Sequence, residues 1–136
     1  MITKQQLEEI KQLDDAINIK LSEIEALRDI ATSISAVLKD EVVQSSKQSD
    51  KMASCVVKIV DLETEVNELT DRFVEIRTAL LDEVTRVLAR GTIEFNVIYL
   101  KYFVYKRQFE ICSILHYSRE AVRQIELRSL KKLEDS

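Results

Sequence analysis

Proline and tryptophan are absent from this chain, and glycine occurs once, at Gly91. Sandwiches and barrels draw on Gly and Pro for their corners, so the composition excludes them and an all-α fold is expected. Histidine also occurs once, at His116, and cysteine twice, at Cys55 and Cys112. These residues match no zinc or redox spacing, so no metal site is expected and both thiols are read as reduced packing residues. A single glycine cannot build a phosphate-cradling loop, and one histidine cannot serve a Ser/His or Cys/His constellation. Acid pairs such as Asp14-Asp15 and Asp82-Glu83 fall on polar helical faces. The chain is therefore not expected to be an enzyme, and neither a cofactor nor a small-molecule substrate is expected. Long apolar runs are missing as well. No stretch approaches the roughly 18 consecutive apolar residues of a membrane span, and "MITKQQLEEIKQLDD" lacks the cationic and apolar blocks of a signal peptide. A soluble, cytoplasmic protein without membrane contact is the expectation.

Charge is plentiful but unevenly placed. The 136 residues hold 20 Lys/Arg and 24 Asp/Glu, a net charge of −4. Residues 1–90 carry 12 basic and 18 acidic side chains, whereas residues 91–136 carry 8 and 6. Within 118–133 the balance is five basic against two acidic. An acidic front with a locally cationic tail excludes a protein that coats nucleic acid over its whole surface and allows one that touches it at one end.

The front part, residues 1–90, reads as a helical arm. Thr3 and Gln6 have the spacing of a capping box. Leu7, Ile10, Leu13, Ile17, Leu21, Ile24, Leu27, Ala31, Ile34 and Leu38 then recur in steps of three and four, one face of a helix over about 3–38. "KDEVVQSSKQSD" interrupts the pattern, making 39–49 a linker and Ser49 or Asp50 a cap for a second helix over about 50–90. That helix carries a coiled-coil seam: Met52, Cys55, Ile59, Leu62, Val66, Leu69, Phe73, Ile76 and Leu80. Glu83 falls at the next seam position, and the seam resumes at Val87. Neither helix can bury its stripe alone. The partner is the other helix, folded back as a long antiparallel hairpin, or a second copy of the chain, or both.

Residues 91–136 form the second expected domain. Gly91 ends the arm, and Thr92 caps the next helix. "TIEFNVIYLKYFVY" mixes strand-favouring residue types with helical spacing at Ile93, Val97, Leu100 and Val104. Helix is preferred because no partner strand exists. "RQFEICSILHYS" supplies a short helix and a turn in which His116 is a turn residue rather than a base. "YSREAVRQIELRSLKKLE" comes next, with Ser118 as cap. At 100° per residue, Ala121, Val122, Ile125, Ser129 and Leu133 share one arc, and Arg119, Glu120, Arg123, Gln124, Arg128 and Lys131 share the opposite half. Leu127 and Leu130 fit neither. Two short helices, a tight turn and a polar outer face form a helix-turn-helix pattern. Arg donates twice to guanine, Gln pairs with adenine and Glu accepts from cytosine. Ser118, Arg128, Lys131 and Lys132 suit phosphates.

"SREAVRQIELRSLKKLE" resembles the recognition helix of region four in primary sigma factors, which reads the promoter's −35 element. The match runs through Ser118, Arg119, Glu120, Val122, Arg123, Gln124, Ile125, Glu126, Leu130, Lys132 and Leu133, and it departs at Ala121 and Ser129. Phe109-Glu110-Ile111 resembles the core of the preceding region-four helix. The resemblance implies Arg119, Glu120, Arg123 and Gln124 as the base-facing set. The whole chain is similar to small phage and prophage proteins of Gram-positive bacteria with a helical front and a region-four-like tail, related to ArpU-type regulators. The segments that carry this similarity are Ala31-Thr32-Ser33-Ile34, Val43-Gln44-Ser45-Ser46, Asp50-Lys51-Met52 and Ile59-Val60-Asp61-Leu62-Glu63. Double-stranded DNA is the implied partner, in the cytoplasm of a bacterial host. The arm is left to form a homodimer or to dock on RNA polymerase. Promoter opening needs base-capturing aromatics on a further domain, so a complete sigma factor is not expected. Two alternatives stand beside the regulator: a DNA-marking protein like the small terminase subunits of phages, and a coiled-coil interaction module that leaves DNA alone.

Overall fold

The computed structural model describes the backbone of residues 1–40 and 46–136 and the side chains of 1–36, 47 and 49–136. Among these residues every regular element is helical: α1 (Lys4–Asp40), α2 (Ser46–Val87), α3 (Ile93–Ile98), a π-helical turn (Tyr99–Phe103), α4 (Gln108–Leu115) and α5 (Arg119–Asp135). The protein is all-α, as its shortage of turn-formers predicts. Residues 41–45 of the expected linker, and with them much of the "VQSS" segment, lie outside the described residues, as does the Leu38 side chain. The ends of that linker are helical instead. Ser46–Asp50 contains no Pro or Gly to exclude a helix, so α2 starts before the expected cap at Ser49 or Asp50, and it stops at Val87 rather than near 90.

Two compact units divide the chain. The first joins Met1–Asp14 to Arg72–Ser136, and the second is Asp15–Asp71. Gly91, the boundary expected from the sequence, therefore lies inside the first unit. The physical reason is a shared core. Ile2, Leu7 and Ile10 from the N-terminus bury with Leu80, Val84 and Leu88, with Phe95, Ile98, Tyr102 and Phe103, and with Leu133 of α5. The Ile2 N–H donates to the Leu133 carbonyl at 3.0 Å, tying the chain's start to the end of α5. Thr3 and Gln6 form the anticipated capping box: the Thr3 N–H donates to Gln6 Oε1 at 2.9 Å and the Gln6 N–H to Thr3 Oγ1 at 3.3 Å.

The buried line of α2 shifts inside this unit. Phe73 and Ile76 pack against the core and Leu80 is buried, as the seam predicts. Beyond Leu80 the line continues in steps of four through Val84 and Leu88, both essentially inaccessible, instead of through Glu83 and Val87. A strict heptad seam faces one partner helix. Here several segments cover α2, and steps of four follow their broader contact. Glu83 stays partly exposed and accepts an ion pair from the N-terminal ammonium at 3.2 Å, while Val87 packs only at the core's margin.

"TIEFNVIYLKYF" is helical, not strand. Thr92 caps α3, its Oγ1 accepting from the Phe95 N–H at 3.3 Å, and Gly91 supplies the left-handed residue before it at φ +86°. Phe95, Tyr99 and Phe103 stack along one side, with ring centroids 5.6 and 5.9 Å apart. The Arg90 guanidinium lies over Phe95 and that of Arg77 over Phe103, at 5.4 and 5.5 Å. Cations thus cover both ends of the stack, where they meet the rings' negative faces. Val97, Ile111, Val122 and Ile125 form a second small core that fastens α4 and α5 to α3.

In the second unit, the Lys20 ammonium pairs with Glu65 at 2.8 Å and the Arg28 guanidinium with Glu63. Later α1 residues thus meet earlier α2 residues. Ile17, Ile24 and Cys55 are buried; Met52, Ile59, Leu62, Val66 and Leu69 are half-buried. Leu21 departs from the expected stripe, with 46% of its surface exposed. Two helices do not enclose a core, so the edge of the stripe stays in water.

Candidate nucleic-acid interface

The base of α5 is set by the turn before it. His116 takes a left-handed conformation (φ +59°) as the C-cap of α4, and its N–H and that of Tyr117 both donate to the Cys112 carbonyl. The lone histidine is a turn residue, where its place in the sequence puts it. Ser118 returns to extended backbone, and its Oγ accepts from the Ala121 N–H at 3.2 Å, satisfying a first-turn donor. Val122, Ile125, Ser129 and Leu133 then form the buried face of α5. The Ser129 hydroxyl donates to the Ile125 carbonyl at 2.7 Å, so its burial leaves no unmet donor. Leu130 packs against the larger core, and Leu127 is about half exposed.

All four residues expected to face bases are exposed: Arg119, Glu120, Arg123 and Gln124. Three of them are joined. The Glu120 carboxylate accepts from Arg123 Nε and Nη2 at 3.1 and 2.8 Å, and from Gln124 Nε2 at 3.0 Å. The Arg123 hydrogen bond, then that of Gln124, then the guanidinium charge hold the Glu120 carboxyl down at about 2. A lowered pKa means that the network is complete above the ordinary carboxylate range and is lost only as the pH falls through about 2. A carboxyl-carbon NMR titration should place the Glu120 midpoint there, and Arg123→Ala should move it up toward 4.5. A midpoint already near 4.5 in the parent protein would show that the network does not persist in solution.

Arg119 stands apart from this network. It lines a shallow cleft with Gln108, Phe109 and Cys112, between α4 and the first turn of α5. Gln108 Nε2 donates to the Arg119 carbonyl at 3.4 Å, and the Phe109 ring is 68% exposed beside it.

The residues expected to touch phosphates divide. Ser118 spends its oxygen on the cap, leaving its hydroxyl proton to donate. Lys131 is exposed, and no ion pair to it is found among the described residues. Arg128 and Lys132 converge instead on Glu94 of α3, at 3.4 and 2.9 Å, each remaining about half exposed. The Lys132 hydrogen bond is the main cause that holds the Glu94 carboxyl below its ordinary range. Glu94 has no signal in the sequence, because its contacts arise 34 and 38 positions away.

A second carboxylate also escapes a linear reading. Glu126 is 7% exposed, and its Oε1 accepts from the Lys101 ammonium at 2.6 Å and the Tyr102 hydroxyl at 2.7 Å. Burial and this carboxylate raise the Tyr102 hydroxyl pKa well above the ordinary range. The signal was present: at 100° per residue Glu126 falls about 20° from Leu133, so an acid on the apolar arc needs a buried partner. Glu126→Ala should cost about 1–3 kcal/mol in urea unfolding by stranding the Tyr102 hydroxyl, and Glu126→Gln should cost less.

Among the described residues no helix is long and apolar enough to cross a membrane, and no cluster of His, Cys, Asp or Glu is arranged to hold a metal ion. Compared with protein-family models, curated proteins and solved structures, the chain matches none.

Proposed function

We propose that this chain is a sequence-specific, duplex-DNA-binding transcriptional regulator of phage or prophage type. In this reading α4, the His116–Ser118 turn and α5 act as a sigma region-four-like helix-turn-helix. The single observation that supports it best is the division of α5. Val122, Ile125, Ser129 and Leu133 anchor one side, while Arg119, Glu120, Arg123 and Gln124 stand exposed on the other. A helix held this way can enter a major groove with its outer residues on base edges. Arg119 and the Arg123–Glu120–Gln124 set supply the donors and acceptor that distinguish base pairs. Lys131, with Arg128 and Lys132 once they exchange Glu94 for phosphate, holds the register. The paired lengths of α1 and α2 form the antiparallel arm that dimerises the regulator or docks it on RNA polymerase.

Selection of duplexes from random DNA, run with and without RNA polymerase, tests this reading. The expected result is one enriched site whose binding weakens steeply with salt. Recovery of unenriched DNA with no salt-sensitive binding under either condition would overturn it.

A further inference from the structure

The Glu94 carboxylate has the single negative charge and the two acceptor oxygens of a phosphodiester, and it divides them between two cations. Oε1 meets the Arg128 guanidinium at 3.4 Å, and Oε2 accepts from the Lys132 ammonium at 2.9 Å. Arg128 and Lys132 are one turn apart on α5, about 40 and 80° round the helix from Gln124. They therefore border the outer face on the side turned toward α3. Like charges at this spacing repel, and Glu94 is the group that offsets them.

The three side chains differ in freedom. Glu94 lies in the first turn of α3, between Ile93, which packs on the smaller core, and Phe95, which is buried in the larger one. Its side chain is 21% exposed, against 53 and 50% for Arg128 and Lys132. The fold thus fixes the carboxylate, whereas the cations end long stems that reach water. A phosphate can draw them off, and Glu94 cannot follow. Position along the axis suits this exchange. A recognition helix puts its first turns on base edges, and Arg128 and Lys132 lie roughly 6 and 12 Å beyond Gln124, toward the rim of the groove.

We propose that Glu94 is an internal competitor for DNA phosphate, which lowers the affinity of the helix-turn-helix for every duplex without altering its preference among them. The inference rests on the reading of α5 as a DNA-contacting helix. Phosphate contacts carry no sequence information, so a group displaced in making them weakens binding to all sites by the same factor. Lasting binding then also requires the base contacts of Arg119, Glu120, Arg123 and Gln124.

Fluorescence anisotropy of the full chain, with the duplex selected from random DNA and with a scrambled one, tests this. Glu94→Gln keeps the shape of the side chain and removes its charge. It should tighten binding to both duplexes by roughly three- to tenfold, the worth of two half-exposed ion pairs. The ratio between the duplexes should stay the same, and the salt slope should steepen by about one unit. In an Arg128→Gln, Lys132→Gln background the same substitution should change binding by less than about twofold, since the groups it frees are gone. A tightening that persists in that background would be an effect of net charge alone and would overturn the proposal. An unchanged affinity, or a changed ratio, in a chain whose parent binds the selected duplex would overturn it too. A parent chain that binds no duplex would instead remove the DNA reading itself, and this proposal with it.

Discussion

Ile10→Ala should lower the free energy of unfolding by about 2–5 kcal/mol, the range for truncating a buried aliphatic side chain. Ile10 is fully inaccessible, in one core with Leu88, Ile98 and Leu133. The loss therefore falls on the unit that holds α5, and DNA affinity should decline near the new midpoint as the folded fraction declines. Ile19→Ala is the matched control. Ile19 is 68% exposed, so its loss should change stability by no more than about 0.5 kcal/mol. Urea unfolding of both variants measures the contrast. Equal effects would mean that the N-terminal turns do not belong to the core.

Arg123→Ala should cost on the order of 1–3 kcal/mol at the selected DNA site and relax preference at the base pair it meets. The cost has two sources. In the proposed reading a bidentate donor to a base edge is removed, and Glu120 loses the guanidinium that orients its carboxylate. Specificity should therefore loosen at the Glu120 position as well. Lys131→Ala is the contrasting variant. Lys131 is exposed with no ion pair among the described residues; in the proposed reading it meets phosphate, so its removal should weaken binding to all sequences and reduce the salt slope by about one unit. Fluorescence anisotropy against the selected site and a scrambled duplex, at several salt concentrations, separates the two patterns. Equal binding of Arg123→Ala and parent across both duplexes would remove Arg123 from base reading.

Local features of the candidate site were legible in the sequence. The Ser118 and Thr92 caps, the Thr3–Gln6 box and the His116 turn depend on residues three or four apart, so their chemistry is written in neighbouring letters. The outer and inner arcs of α5 follow from helical periodicity alone. Glu94 and Glu126 were not legible in the same way. Their partners are distant in the chain, and no period links Glu94 to Arg128 and Lys132 or Glu126 to Lys101 and Tyr102. The shift of the buried line from Val87 to Val84 was hidden for a related reason. A heptad pattern anticipates one partner helix, and the end of α2 meets several segments.

The sequence by itself determined the helical class, the Thr3, Thr92 and Ser118 caps and the apolar side of α5, because those depend on backbone dihedrals and on spacing within a few residues. Only the tertiary structure decided that Ile2, Leu7 and Ile10 share a core with α5, and that Glu94 holds two of the cations expected from the sequence to meet phosphate. Those facts require distant segments to meet, and the side chains that meet carry no mark of their partner until the chain is folded.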